Sequence, residues 1–183
     1  MKPIEIIRKI PTAIFLKARI ILYFFLFKIS KNWVILNRIS IRLRPAIWKA
    51  TGCKIGKNVS IGYDIYYDVH NANLITIEDD VWIASRSLIL CHKRDLKLYY
   101  KNTRYNDLSY IKSPVVLKRG CVVGMASTIM PGVTVGEGAI VGAGSLVVKD
   151  VPAWTIATGN PAKVVKEIKE GELVNKPELE KVS

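Results

Sequence analysis

The chain has 183 residues, half of them apolar and 23% charged, which excludes wholesale disorder and allows one domain with a real core plus a short appendage. Three cysteines (Cys53, Cys91, Cys121) are too few for a disulfide framework, show no paired zinc spacing and suit a reducing compartment. With only His70 and His92 as imidazoles, a three-histidine metal site within one chain is excluded and no metal is expected.

The net charge of +13 is concentrated at the front, where residues 1–50 hold eleven Lys/Arg against Glu5 alone. This segment is as apolar as it is basic. Its longest uncharged run is eight residues, Ile20 to Phe27, well short of the ~20 that a spanning helix needs. No small-residue cleavage site follows, so neither a transmembrane segment nor a signal peptide is expected. Apolar residues interleaved with bases predict amphipathic helices, broken near Pro11 and Pro45, that lie in a membrane interface with Lys/Arg on anionic headgroups. The competing reading is a helical subdomain packed on its own core or on a neighbouring subunit. Nucleic acid is not an expected partner, because the apolar content is too high for a simple basic arm.

From residue 51 onward the period is six. Ile55 and Ile61 open the pattern, Ile77, Ile83 and Ile89 follow, and Leu117, Val123, Ile129, Val135, Val141 and Val147 complete it. Four places after each member of the last block stands a small or modest residue: Cys121, Ser127, Val133, Ala139, Ser145 and Val151. One place after, glycine recurs at 124, 136 and 142. A helix would show 3.6 and a lone strand 2. A repeat of six predicts stacked coils of a parallel β-helix, aliphatic residues inward, sharing a core that no coil buries alone, with glycine relieving the backbone at the bends.

The steps from Ile61 to Ile77 and from Ile89 to Leu117 are 16 and 28 residues. Neither is a multiple of six, so two excursions are expected, one near Tyr63–Asn73 and a loop over 93–113. The loop carries six bases, two acids and the tyrosines Tyr99, Tyr100, Tyr105 and Tyr110. Loops of this length are usually functional or disordered, and a ring with a polar tip suits a sugar face. Tyr99 and Tyr105 are the expected substrate contacts, with packing on a neighbouring subunit as the alternative.

The stretch SPVVLKRGCVVGMASTIMPGVTVGEGAIVGAGSLVVKDVPAWTIATGNPAKVVKEI resembles the hexapeptide-repeat acyltransferases of the left-handed β-helix class. The branch it is similar to holds the maltose and galactoside O-acetyltransferases and the polysaccharide O-acetyltransferases. The likeness covers roughly 52–168, and GNPAKV is its most specific piece. It implies an all-β fold: a left-handed parallel β-helix of hexapeptide repeats over 51–162 and a C-terminal helix and tail over 163–183, to which the front segment adds the N-terminal amphipathic helices expected over 1–50 from its own pattern. It further implies a homotrimer with active sites between subunits and acetyl-CoA as co-substrate.

The same resemblance places the catalytic histidine just before the long loop, where ILCHKRD offers His92. An acceptor-contacting Asn or Asp is expected in the first excursion; Asp64, Asp68, Asn71 and Asn73 all qualify, and Asn71 is the choice. Coenzyme contacts fall on Gly124, Met125, Ala143, Val148 and Lys149. Lys163 and Lys166, three apart on one helix face, would reach the nucleotide phosphates. Val122 stands where relatives commonly have tryptophan, and Trp82 holds the analogous place one block earlier.

The chemistry supports His92 on its own terms. A sugar hydroxyl is almost wholly protonated at neutral pH, so a base must take its proton as the oxygen attacks a thioester carbonyl, and imidazole suits that task. Backbone N–H groups at a coil corner could hold the oxyanion. Cys91 is not expected as a nucleophile, since neighbours on an extended segment point to opposite sides. The expected activity is acetyl transfer to a sugar hydroxyl of a surface polysaccharide or its lipid-linked precursor, at the cytoplasmic face of the inner membrane. Transfer to an amino-sugar nucleotide or small antibiotic, and a catalytically silent trimeric scaffold, are the alternatives.

Overall fold

The computed structural model describes residues 12–170; the break expected at Pro11 and the tail after 170 lie outside them. Four coils form a three-sided prism. The first sheet stacks β1 (Lys54–Ile55), β4 (Ile75–Ile77), β9 (Val115–Leu117) and β12 (Thr134–Val135). The second stacks β2 (Ser60–Ile61), β5 (Trp82–Ile83), β10 (Val122–Val123), β13 (Ile140–Val141) and β15 (Thr155–Gly159), with β16 (Ala162–Glu167) at its edge. The third stacks β3 (Tyr66–Tyr67), β6 (Leu88–Ile89), β11 (Thr128–Ile129) and β14 (Leu146–Val147).

Every inter-coil pairing is parallel and in register, so Ile61, Ile83, Val123, Val141 and Ala157 form one inward ladder. Tyr67, Ile89, Ile129 and Val147 form another. All of these are buried. Tyr67 is therefore a coil position, and the first excursion is narrower than expected: only the 3-10 helix Val69–Leu74 leaves the coil. An aromatic ring at an aliphatic position hid the register. The second excursion is an antiparallel ribbon, with β7 (His92–Arg94) paired to β8 (Tyr110–Lys112).

The glycines have a different task from the expected one. Gly124 has an ordinary φ, and a Cβ there would sit 2.6 Å from Ala143 N and Val141 O of the next coil. It lets coils approach; it does not turn the chain. Turning falls three places after the inward residue, as at Gly144 with φ +68 and Ala126 with φ +57. The small residues four places after seal the corners: Ser87 Oγ donates to Gly124 O at 3.0 Å and Ser127 Oγ to Gly142 O at 2.9 Å.

The front segment forms α1 (Thr12–Asn32), the single turn α2 (Leu36–Ile39) and α3 (Leu43–Ala50), which cap the open end of the first coil. Trp48 stacks on Tyr67 at 4.0 Å between ring centres, and Phe27 meets Tyr67 edge-on. Arg44 is wholly buried; its Nε donates to Ser30 O at 2.8 Å and its terminal nitrogens to Asn37 Oδ1 and to Trp33 O at 2.5 Å. That guanidinium satisfies the carbonyls where α1 ends.

Two expectations are corrected. Helix α1 has no single apolar stripe: Ile14, Leu16, Ile20, Ile21, Leu22, Phe24 and Phe25 are all exposed and lie around most of its circumference. Among the described residues no helix is long and apolar enough to cross a membrane. The second correction concerns the end of the chain, where the helix expected from Lys163 is instead the strand β16, antiparallel to β15. β15 offers an open row of backbone donors and acceptors, and the β-branched pair Val164–Val165 suits a strand there better than a helix.

Candidate active site

His92 opens β7 at the corner between the third and first sheets. Cys91 before it points into the prism and is fully buried, while the His92 side chain is 35% exposed. One coil below, Asp68 follows Tyr67 and donates its backbone N–H to Ile89 O at 3.2 Å, which fixes it beneath the same corner. Its Oδ2 contacts His92 Nδ1. The 3-10 helix then turns Asn71 back, so that Nδ2 donates to that same oxygen at 2.9 Å. Asp68 and Asn71 are 2% and 7% exposed.

A buried carboxylate against Nδ1 holds the proton on that nitrogen and leaves the Nε2 lone pair facing out of the corner. Of the four residues weighed in the first excursion, Asp68 touches the imidazole, and Asn71, the one chosen, acts on it through Asp68. Alternation would have placed Asp68 outward, but its partner lies 24 residues away, across an excursion whose course the sequence does not give.

The other wall comes from the ribbon. The Tyr110 ring lies edge-on to His92 at 5.2 Å, and Arg94 lies over Tyr110 at 4.0 Å and over Tyr105 at 5.3 Å. Arg94 Nη1 donates to Leu108 O, which folds the loop back. Neither Tyr99 nor Tyr105 borders the imidazole: Tyr105 connects to it through Arg94 and Tyr110, and Tyr99 packs on Tyr105 at 6.4 Å. The hairpin register, His92 opposite Lys112, decides this. Burial, with the Asp68 charge adding to it, pushes the Cys91 thiol up to about 12, so it is not a thiolate near neutral pH.

The expected coenzyme residues divide between two edges of the third sheet. Val148 and Lys149 follow β14 on the His92 edge, both exposed. Gly124, Met125 and Ala143 follow β10 and β13 on the opposite edge. Gly124 has its polar groups engaged, its N–H on Val141 O at 2.8 Å and its carbonyl on Ser87; Met125 and Ala143 are exposed. Lys163 and Lys166 stand on β16 opposite Thr158 and Ile156, with an irregularity in the ladder between them. Because Ile156 and Thr158 share one face of β15, that bulge puts both lysines on one face, as the helix was expected to do.

The family model described as bacterial transferase hexapeptide (six repeats) matches residues 109–149, from β8 through β14. A presumptive acetyltransferase of Staphylococcus aureus is 36% identical over 115 residues, 63% of this chain and 55% of the relative. The chain thus spans about half the length of such curated relatives. Among solved structures, a maltose O-acetyltransferase from Clostridium difficile superposes with TM-score 0.62 at 24% identity, over 81% of this chain and 86% of that one. An N-acyltransferase from Bacillus cereus, solved with dTDP and 3-hydroxybutyryl-CoA, gives TM-score 0.50 at 26% identity over 64% and 67%. These folds carry the left-handed coil that the resemblance implies. The six-residue coils in register on three sheets accompany a match of residues 109–149 to the hexapeptide-repeat transferase family model, and it is these transferases that the chain is similar to.

Proposed function

We propose that this protein is an acetyl-CoA-dependent O-acetyltransferase with His92 as general base. The observation that carries the reading is the buried Asn71–Asp68 pair on Nδ1 of a half-exposed imidazole. As the acceptor oxygen attacks the thioester carbonyl, the O–C bond forms and the C–S bond breaks. The hydroxyl proton passes to Nε2, and from there to the departing thiolate of CoA. Asp68 stabilises the imidazolium that exists between those two transfers. No protein nucleophile is required, and the buried Cys91 thiol is not one.

The two-edge division of the coenzyme residues supports a homotrimer. A ligand lying along one edge of a single prism cannot touch both sets, whereas a second copy laid against the His92 edge would bring its Met125 and Ala143 edge across the groove. Lys149, Lys163 and Lys166 supply charge for the nucleotide phosphates.

The acceptor is a sugar hydroxyl on a surface polysaccharide or its lipid-linked precursor. The exposed apolar and basic surface of α1 supports placement on the cytoplasmic membrane face. Ile21 and Phe25 are 69% and 61% exposed, so an Ile21→Ser/Phe25→Ser variant should leave the fold intact and weaken vesicle binding. Unchanged binding refutes the anchoring.

The decisive assay follows CoA release and acetyl transfer, with lipid-linked glycans and soluble sugar nucleotides as acceptors. His92→Ala should abolish transfer; unchanged turnover refutes His92 as the base, and no turnover by the wild type with any acceptor would leave the trimeric scaffold as the surviving reading. The B. cereus likeness favours a second reading, acyl transfer to the amine of a sugar nucleotide with an acyl group larger than acetyl. Turnover with such an amine and none with glycan hydroxyls would select it.

A further inference from the structure

We propose that the cleft between α3 and the first coil is a binding site for an anionic phospholipid headgroup. The cleft has a volume of about 480 Å³ and is walled by Ile41, Pro45 and Ile55 together with Arg42, Lys49 and Lys57. Arg42, the residue just before α3, and Lys49 in its last turn are seven residues apart, about two turns, and Lys57 lines the cleft from the corner after β1. No carboxylate lines the cleft among the described residues. Asp79, on the next coil, accepts the Lys57 main-chain N–H at 2.7 Å.

Three cations around an apolar floor match a phosphate diester whose first methylenes lie on Ile41 and Pro45. A free phosphate would use the cations and leave the floor wet. Ile41 lines the cleft and is more than half exposed, and Trp33, Val34, Ile35 and Ile39, earlier in the same helical segment, are each more than half exposed too. Charge and apolar surface therefore share one cleft, as they do at an acyl–headgroup boundary. The proposal rests on the membrane reading above and gives it a defined site, so that contact becomes lipid-selective and the prism acquires a fixed tilt on the surface.

The test uses the full chain and two triple variants of equal charge change, Arg42→Ala/Lys49→Ala/Lys57→Ala in the cleft and Lys17→Ala/Arg19→Ala/Lys28→Ala on α1. Binding is measured to phosphatidylcholine vesicles with and without phosphatidylglycerol. With each base at the headgroup contributing roughly 1 kcal/mol, the cleft triple should lose about a hundredfold in affinity for the anionic vesicles, and the α1 triple, whose cations share no one headgroup, clearly less. Equal losses mean diffuse attraction and overturn the site while leaving the anchoring intact.

A second arm titrates the wild type with monomeric dihexanoyl phosphatidylglycerol, dihexanoyl phosphatidylcholine, inorganic phosphate and an acidic peptide, following the Ile41 and Ile55 methyl resonances. Dihexanoyl phosphatidylglycerol alone should shift them, and an equal response to dihexanoyl phosphatidylcholine overturns the anionic site. A response to phosphate or peptide overturns the lipid assignment. A response to the short lipid without any vesicle binding keeps the site and overturns the anchoring.

Discussion

Replacing Asp68 by asparagine keeps the size and shape of the side chain and removes one buried charge beneath His92. The carboxylate accepts from His92 Nδ1 and from Asn71 Nδ2, and it is 2% exposed. A hydrogen bond to a charged group is worth about 1.5–3 kcal/mol net, against about 1 for a neutral one. If the asparagine oxygen turns to Nδ1, the tautomer survives and only the charge is lost. That costs about 1–2 kcal/mol of transition-state stabilisation, or roughly 5- to 30-fold in kcat. If the amide nitrogen turns to Nδ1 instead, the proton moves to Nε2 and the base is blocked. The loss then approaches the ~10⁴-fold seen when a triad aspartate is replaced in this way. Steady-state kcat at saturating acetyl-CoA, with a thermal melt beside it, measures the effect. Asp68→Asn/His92→Asn should be no slower than His92→Asn alone, because the two residues act as a unit. An Asp68→Asn enzyme with unaltered kcat, or additive losses in the double variant, refutes the relay.

Other expectations follow from packing. Gly124→Ala should cost about 3 kcal/mol in urea unfolding, since its Cβ meets the backbone of the next coil at 2.6 Å. Gly144→Ala should cost only about 1 kcal/mol, for it has positive φ, open space around it, and an alanine already at the equivalent place one coil below. Arg44→Ala leaves buried carbonyls without donors and should remove about 3–5 kcal/mol from the helical cap. Limited proteolysis would then cut within 12–50 while the coils resist, and Arg44→Lys should not rescue, lacking the planar fork. Cys91→Ala should retain transfer within a few-fold. Native protein at pH 8 should resist alkylation, because burial raises that thiol to about 12 and its protonated form predominates until well above that pH; rapid labelling would overturn the inward placement.

The spacing of six identified the coil, its inward residues and the two places where it is interrupted, because a stacked prism repeats the same local demand at every corner and each demand is written in one residue type. That His92 stands at the end of a counted coil was legible as well, whereas its role as base came from the family resemblance and is a proposal. What surrounds it was not legible. Asp68 reaches the imidazole from another coil, Tyr110 from the far strand of a ribbon, and Arg44 holds three segments of the cap together; each of these contacts depends on segments outside the repeat, whose course the period does not give. The end of the chain makes the same distinction, since a segment patterned like a short helix became a strand when an unpaired sheet edge offered it hydrogen bonds. Local periodicity is a property of neighbours along the chain, whereas register across an insertion and the capture of a free edge depend on what the completed core leaves exposed.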